Sequence, residues 1–141
     1  YWKSHYLARV DDRMIALATE HAARIGSPHS AILMFQIGGA LNDQPAGHSP
    51  AGNRDATYVL NIAGSWEHAT DDAPNMAWAR DCFEATRSCS TGGTYVNFLT
   101  EDEGRDRIAA AYSAADLDKL ATLKRQIDPD NLFRHTKAIA G

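Results

Sequence analysis

Two strand-like segments separated by a turn-rich stretch constrain the fold of this chain most. Residues 30–37 are almost continuously apolar, which is typical of a buried strand. Residues 57–66 alternate instead, so that a strand would carry Tyr58, Leu60 and Ile62 on one face and Val59, Asn61 and Ala63 on the other. The residues between them, 41–56, are rich in the turn formers Gly, Pro, Asn and Asp. We therefore predict two strands joined by an irregular loop.

The same kind of pattern predicts a further strand and two helices before residue 90. Residues 1–10 can form the strand, and Asp11 or Asp12 can then cap a helix that Gly26 ends. Its apolar stripe would consist of Ile15, Ala18, Ala22 and Ile25. A second helix starts near Asp71, and its apolar side would carry Trp78, Cys82, Ala85 and Cys89.

The remainder of the chain is predicted to be mainly helical. A short helix covers residues 105–112, and Ser113 with Asp116 then forms a capping box for a longer one. Because Pro129 disfavours helical backbone at Asp128, this longer helix should end at about that point, in a turn. The order of elements indicates an α+β fold, in which helices cover one face of an antiparallel sheet.

Composition and charge exclude several classes of protein. The 141 residues are 44% apolar and 23% charged, which is ordinary for one folded domain. The net charge of −4 gives no indication of a nucleic-acid or anionic-membrane partner. No apolar run approaches the roughly 18 residues that span a bilayer. We expect a cytoplasmic protein, although the start at Tyr1 without an initiator Met indicates a fragment or processed piece and leaves secretion open.

The cysteines and histidines give no metal or disulfide pattern. Cys82 and Cys89 are seven residues apart, which on a helix is a rise of about 10.5 Å and too far for a disulfide. Two thiols alone do not fill a zinc site, and the six histidines lack a convincing ligand spacing. We therefore predict no metal site and interpret the cysteines as small buried side chains.

Tyr95 and Asn97 form the most interesting pair of candidate site residues. If their segment is extended, both side chains point to the same face, because strand residues two apart do so. A phenol in its ionised form can accept a proton, and a carboxamide can both donate and accept hydrogen bonds. On spacing alone, however, such a pair usually marks a surface strand or turn.

An ordered set of short motifs adds a resemblance to a known family. The set comprises Tyr95-Val96-Asn97-Phe98, Tyr112, Leu120 to Lys124, and the turn Asp128-Pro129-Asp130-Asn131-Leu132-Phe133. It resembles the C-terminal segment of berberine-bridge-enzyme-like FAD-linked oxidases. Upstream, Gly38-Gly39-Ala40, Arg54-Asp55-Ala56 and a strand ending at Trp66 look like landmarks of the same family.

The resemblance implies a function and a set of roles. Family members bind FAD mainly through a separate domain, which would lie outside this chain, and oxidise an alcohol, a sugar or a secondary metabolite. By the resemblance, Tyr95 would be the catalytic base that deprotonates a substrate hydroxyl, and Asn97 would lie near the flavin. Asn61 would hydrogen-bond Tyr95 in the substrate pocket, and Gln36 is a further substrate-binding candidate.

The resemblance also implies partners and a division of the chain. Residues 1–94 would be part of a substrate-binding domain, and residues 95–141 would be the C-terminal segment that packs with it in one structural unit. The expected partners are the FAD-binding domain of the same protein and a small-molecule substrate, and the chain alone would be inactive. The alternative is a free-standing, non-catalytic α+β domain that acts by self-association, as a homodimer, or by binding another protein.

Overall fold

A computed structural model describes residues 1–45, 47–50, 52–100 and 104–134. The strands are β1 (Trp2–Leu7), β2 (Ala31–Gln36) and β3 (Tyr58–Ala63), and the helices are α1 (Asp12–Ala22), α2 (Asp72–Thr86), α3 (Arg105–Ala109) and α4 (Ala114–Ile127). Short 3-10 turns cover Gly39–Leu41, Ala69–Asp71, Arg87–Cys89 and Val96–Phe98. The C-terminal segment predicted over residues 95–141 therefore extends past the described residues.

The three strands form one antiparallel sheet in the order β1-β3-β2. In the central strand, Leu60 lies opposite His5 of β1 and Met34 of β2. The neighbouring residue Val59 lies opposite Tyr6 and Phe35. The alternation predicted for residues 57–66 is confirmed, because Leu60 and Ile62 belong to one buried cluster and Val59 belongs to another.

Helices α1 and α2 pack on one face of this sheet, as the α+β prediction requires. The core on this face is formed by Leu7, Met14, Leu60, Ile62, Trp78, Ala79, Cys82 and Phe83. Each large apolar side chain buried there contributes about 1.5–3 kcal/mol relative to an exposed one. The indole Nε1 of Trp78 donates a hydrogen bond of 2.9 Å to the carbonyl of His21, which joins α2 to α1.

The apolar stripe predicted for α1 is partly wrong. Asp11 caps the helix as expected, since its carboxylate accepts a hydrogen bond of 3.0 Å from the amide of Met14. The buried residues of the helix are Met14 and His21, whereas Ile15 is exposed. The buried positions are thus Met14 in place of Ile15 and His21 in place of Ala22, each one residue earlier than predicted.

The strand predicted over residues 30–37 is confirmed as β2, but the prediction that it is buried is wrong. Ile32 and Met34 pack against the core, but Leu33 and Phe35 on the other side of β2 are 40% and 46% exposed. The physical reason is that β2 is an edge strand of this sheet and the two long helices near it cover only one of its faces. We refer to the other face, which carries Trp2, Tyr6, Leu33, Phe35, Val59 and Asn61, as the open face.

The predicted boundaries of α4 are confirmed. Ser113 Oγ accepts a hydrogen bond of 3.1 Å from the amide of Asp116, and the helix ends at Ile127. The carboxylate of Asp128 then accepts hydrogen bonds from the amides of Leu132 and Phe133 at 2.7 and 3.1 Å. It also contacts the ammonium of Lys124, which is the main cause holding the pKa of Asp128 below its ordinary value. Within the described ranges, no helix is long and apolar enough to cross a membrane.

Candidate functional site

A cavity of about 440 Å³ lies on the open face of the sheet. Its lining is mainly apolar and aromatic, and consists of Tyr6, Phe35, Ile37, Leu41, Gly52, Asn53, Arg54, Val59, Tyr95 and Phe98. The strands supply the floor, the loop before β3 supplies one wall, and the segment after α2 supplies another. Volumes of about 300–1,000 Å³ are usual for small-molecule sites, so the cavity has room for a ligand.

The cavity floor is a small hydrophobic cluster separate from the main core. Tyr6, Ala56 and Val59 are buried in it, and Ile37 and Phe98 pack against them. The ring of Phe98 lies edge-on to Tyr95, with the ring centroids 5.0 Å apart and an interplanar angle of 84°. This aromatic contact holds the ring of Tyr95 at the cavity.

Tyr95 lines this cavity and Asn97 contacts Tyr95 from outside the lining, although their backbone is not a strand. Tyr95 precedes a 3-10 turn, Val96–Phe98, which the amide of Phe98 closes with a hydrogen bond of 2.9 Å to the carbonyl of Tyr95. The side-chain Nδ2 of Asn97 donates a hydrogen bond of 2.9 Å to the hydroxyl oxygen of Tyr95. The predicted proximity is therefore present, but a tight turn produces it.

The segment that carries Tyr95 is attached to β1 and to the loop before β3. The amide of Thr91 donates a hydrogen bond of 2.9 Å to the carbonyl of Tyr6. Gly93 adopts a φ of +73°, and a Cβ atom at this position would collide with the side chain of Asn53. Arg54 in turn fixes the loop by donating hydrogen bonds to the carbonyl of Leu41 and, at 2.6 Å, to Ser49 Oγ. The two cavity walls thus pack closely against each other at Gly93.

Tyr6 is a cavity residue that the sequence analysis did not identify. Its side chain is only 7% exposed, and burial, reinforced by the nearby phenol of Tyr95, raises the pKa of Tyr6 to about 12. Alternation along β1 groups Tyr6 with Ser4 and Trp2. It does not say which face of the sheet they occupy, because that depends on the pairing with β3.

The carboxamide of Asn61 lies on the open face but does not line the cavity. Asn61 is opposite Ser4 in β1 and Leu33 in β2, and it is 5% exposed. Asn61 Oδ1 and Ser4 Oγ are buried and have no hydrogen-bond partner among the described residues. A buried polar atom without a partner is costly, so this pair is suited to a polar group supplied from outside the described chain.

Gln36 lies apart from the other candidates. It is the last residue of β2 and is paired with Tyr58, whose side of the sheet faces the helices. Its neighbours Phe35 and Ile37 line the cavity, and Gln36 itself does not. The structure therefore brings Tyr95 and Asn97 together, leaves Asn61 on the same face, and separates Gln36 from them.

A second depression, of about 470 Å³, is lined by residues that follow α1 and by residues around the start of α2. It is more polar, and includes an exposed pair in which His29 Nε2 and Glu67 Oε1 are 3.1 Å apart. None of the candidate residues of the sequence analysis lines it. Among the described residues, no group of three or more His, Cys, Asp or Glu side chains could hold a metal ion.

The open face has features that fit the flavin expected from the sequence. An isoalloxazine ring combines flat apolar faces with an edge of amide-like groups. The exposed side chains of Leu33 and Phe35 offer apolar surface, and no described residue donates a hydrogen bond to Asn97 Oδ1. A carboxamide can both donate to and accept from such an edge. The residues present therefore fit one side of a flavin ring.

Comparison with known proteins gives a match of residues 94–140 to the family model described as berberine and berberine like. Two curated plant proteins match a larger part of the chain. It is 26% identical over 114 residues to monolignol oxidoreductase AtBBE-like 13 of Arabidopsis thaliana, which covers 72% of this chain and 21% of that protein. It is 23% identical over 123 residues to cannabidiolic acid synthase-like 2 of Cannabis sativa, covering 76% of this chain and 23% of that protein. The chain thus spans less than a quarter of the length of these relatives.

Solved structures share the fold over nearly the whole chain. Physcomitrella patens BBE-like 1 superposes with a TM-score of 0.79 at 19% identity, over 99% of this chain and 30% of that one. The glycopeptide hexose oxidase DBV29 in complex with teicoplanin gives 0.79 at 22% identity, over 99% and 32%. The oxidoreductase GilR in complex with pregilvocarcin gives 0.77 at 22% identity, over 97% and 31%. At these identities the likeness establishes the fold.

Proposed function

We propose that this chain, whose residues 94–140 match the berberine and berberine like family model, is the substrate-binding part of an FAD-dependent oxidoreductase of that family. The substrate would be a small molecule with an oxidisable hydroxyl group: an alcohol, a sugar or a secondary metabolite. The observation that carries this proposal is the hydrogen-bonded pair Tyr95–Asn97 at an aromatic-lined cavity on the open face of the sheet.

In the proposed reaction Tyr95 acts as the base. In its ionised form, the phenol oxygen of Tyr95, to which Asn97 donates a hydrogen bond, takes the proton of the substrate hydroxyl as the carbon–oxygen double bond forms. FAD, when bound, supplies the acceptor for the hydride that leaves the same carbon. The aromatic lining, with Phe35 and Phe98, excludes water from the substrate and orients it. Asn97 would also contact the edge of the flavin through its unbonded Oδ1.

The lining of the cavity favours a substrate with a ring or apolar body next to its hydroxyl group. Aromatic and aliphatic side chains dominate the lining, and among the described lining residues Arg54 is the charged one. The guanidinium of Arg54 already donates to its own loop, so it offers little for the recognition of an anionic substrate. The names of the similar proteins mention a monolignol, teicoplanin and pregilvocarcin, and we propose a substrate of this general kind, without choosing among them.

Asn61 and Gln36 remain proposals for substrate contacts. The unpartnered Oδ1 of Asn61 supports a polar contact on the open face, made either to the substrate or, after a small movement, to Tyr95. Gln36 lies at the end of β2, and would contact only a substrate that extends around this strand end.

We propose that the exposed apolar residues of the C-terminal turn contact the FAD-binding domain of the same protein. Ile127, Leu132 and Phe133 are each about three-quarters exposed, at 75%, 73% and 74%. Their turn is nevertheless fixed by the bonds of the Asp128 carboxylate, so the side chains are presented in a defined arrangement. Large exposed apolar side chains so close together in the chain are typical of an interaction site.

The test of the proposed function uses the full-length gene product. We expect it to purify with a flavin absorbance band that is bleached when an oxidisable alcohol is added without oxygen. A full-length protein that neither contains FAD nor binds it on titration would contradict the proposal.

The same exposed surface supports the alternative function, a non-catalytic domain that self-associates. Light scattering of the full-length protein, combined with an FAD titration, separates the two. A stable dimer that ignores FAD favours the alternative, whereas an FAD-loaded protein whose flavin an alcohol reduces favours the oxidoreductase.

A further inference from the structure

Two phenols, and not one, face the cavity on the open face. Tyr6 reaches it from β1, where it lies opposite Val59, and Tyr95 reaches it from the segment after α2. The hydrogen bond from the amide of Thr91 to the carbonyl of Tyr6 ties the two segments together at their backbones. This hydrogen bond therefore holds the segment that leads to Tyr95 beside Tyr6 in β1.

The hydroxyl of Tyr6 is not hydrogen-bonded within the described part of the chain. Its ring is packed by Ala56, Val59, Ile37 and Phe98, yet its hydroxyl forms no hydrogen bond with a described residue. Buried tyrosines usually find a partner for the hydroxyl, and Tyr6 is a lining residue of the cavity, so its unused hydroxyl is suited to a ligand there.

The surroundings of Tyr6, above all its burial, favour its neutral form. Burial is the first cause that raises the pKa of Tyr6, to about 12, and the phenol of Tyr95 is the second. Of the described residues that line the cavity, Arg54 is the cation, and its guanidinium is engaged by Leu41 and Ser49. The described lining contains no carboxylate. Burial at this site therefore keeps the phenol of Tyr6 in its protonated form.

We propose that Tyr6 is a second substrate-contacting residue of this site, whose hydroxyl donates a hydrogen bond to the substrate oxygen that Tyr95 deprotonates. This inference rests on the proposed function. The proton of the substrate hydroxyl passes to the ionised phenol of Tyr95, and FAD, when bound, would accept the hydride that leaves the same carbon as the carbonyl forms. Tyr6 keeps its own proton throughout and stabilises the negative charge that develops on the substrate oxygen.

One test of the pairing needs neither substrate nor turnover. The full-length protein is labelled with 3-fluorotyrosine at position 6, and its ¹⁹F resonance is followed as a function of pH. We expect the pKa at position 6 to lie above that of free 3-fluorotyrosine, and to fall when Tyr95→Phe is introduced. A pKa that does not respond to Tyr95→Phe would overturn the pairing, whether or not the protein is an oxidase.

The second test measures the role in the reaction. Tyr6→Phe should slow anaerobic flavin reduction about 10- to 100-fold, with FAD content unchanged, because it removes one donor to the developing charge. Tyr58→Phe is the matched control, since Tyr58 lies on the helix-covered face of the same sheet. Equal rates for Tyr6→Phe and wild type would refute the inference and leave the proposed function standing. A wild-type flavin that no alcohol reduces would remove the proposed function, and the donor role with it.

Discussion

Asn97 Nδ2 donates a hydrogen bond of 2.9 Å to the hydroxyl oxygen of Tyr95, two residues earlier in the chain. The bond directs one lone pair of this oxygen towards the carboxamide, and so fixes the direction from which a substrate hydroxyl can approach. It also supplies a donor that remains in place when Tyr95 carries negative charge. The pair therefore behaves as one unit in which Asn97 orients the oxygen that reacts.

Replacing Asn97 tests this orienting role. Asn97→Asp keeps the size of the side chain but removes its donor, so it should slow flavin reduction about tenfold or more in the full-length protein. Asn97→Ala should slow flavin reduction to a similar degree. Stopped-flow absorbance measures both rates, and FAD content serves as the control. If Asn97→Asp reacts at the wild-type rate, the hydrogen bond to Tyr95 has no part in catalysis.

A substitution at Gly93 should disturb the site from a distance. Gly93→Ala places a Cβ against Asn53 in a backbone of φ +73°, whereas Gly92, at φ +87°, has open space around it. Both variants should lose about 1 kcal/mol of stability from backbone strain, and Gly93→Ala roughly 1–3 kcal/mol more from the collision. Urea unfolding measures the difference.

The Gly92→Ala control separates the effect of backbone strain from the effect of the collision with Asn53. Only Gly93→Ala should also displace Tyr95 and slow flavin reduction. Equal stability and equal activity of the two variants would show that the fit between the loop and the Tyr95 segment is unimportant.

His5 should make the stability of the protein depend on pH. It is 3% exposed, stacks on Phe83 with ring centroids 4.1 Å apart, and contacts the carbonyl of Phe83 through Nε2 at 2.9 Å. Burial lowers the pKa of His5 below its ordinary value, and the hydrogen bond to Phe83 only partly opposes this. The unfolded chain therefore binds the proton more readily, so stability is full above a pH of about 6.5 and falls as the pH drops below it.

The variant His5→Gln isolates this contribution. Glutamine can still donate to the carbonyl of Phe83, but it does not titrate. The loss of unfolding free energy between about pH 6.5 and pH 5 should be smaller in His5→Gln than in the wild type. Urea unfolding at several pH values checks this, and parallel curves for the two proteins would exclude His5 as the cause.

The elements with local signals could be predicted from the sequence. Asp11 and Ser113 cap their helices by side-chain bonds to amides three residues on, and Pro129 ends α4, so each boundary depends on neighbouring residues alone. The alternation of β3 is likewise local. The exposure of Leu33 and Phe35 could not be predicted, because an apolar run does not say which of its faces another element covers.

The site was predictable only in part, for a related reason. Tyr95 and Asn97 are close in sequence, and their contact requires only a tight turn. Tyr6 joins them through the pairing of β1 with β3 and through the cavity wall after α2, which are long-range relationships. Gln36 was chosen because it lies on the strand before the loop, but in the sheet it is paired with Tyr58 and so lies on the side that faces the helices. Residues that meet through strand register are therefore the ones that sequence patterns miss.

The most direct measurement of the central claim is the rate of flavin reduction in the full-length protein carrying Tyr95→Phe. Anaerobic stopped-flow absorbance, with an alcohol that the wild type oxidises, gives this rate. We predict a loss on the order of 10²-fold or more, with FAD content unchanged and with Tyr58→Phe within about twofold of the wild type. A Tyr95→Phe protein that reduces its flavin at the wild-type rate would contradict the assignment of Tyr95 as the base.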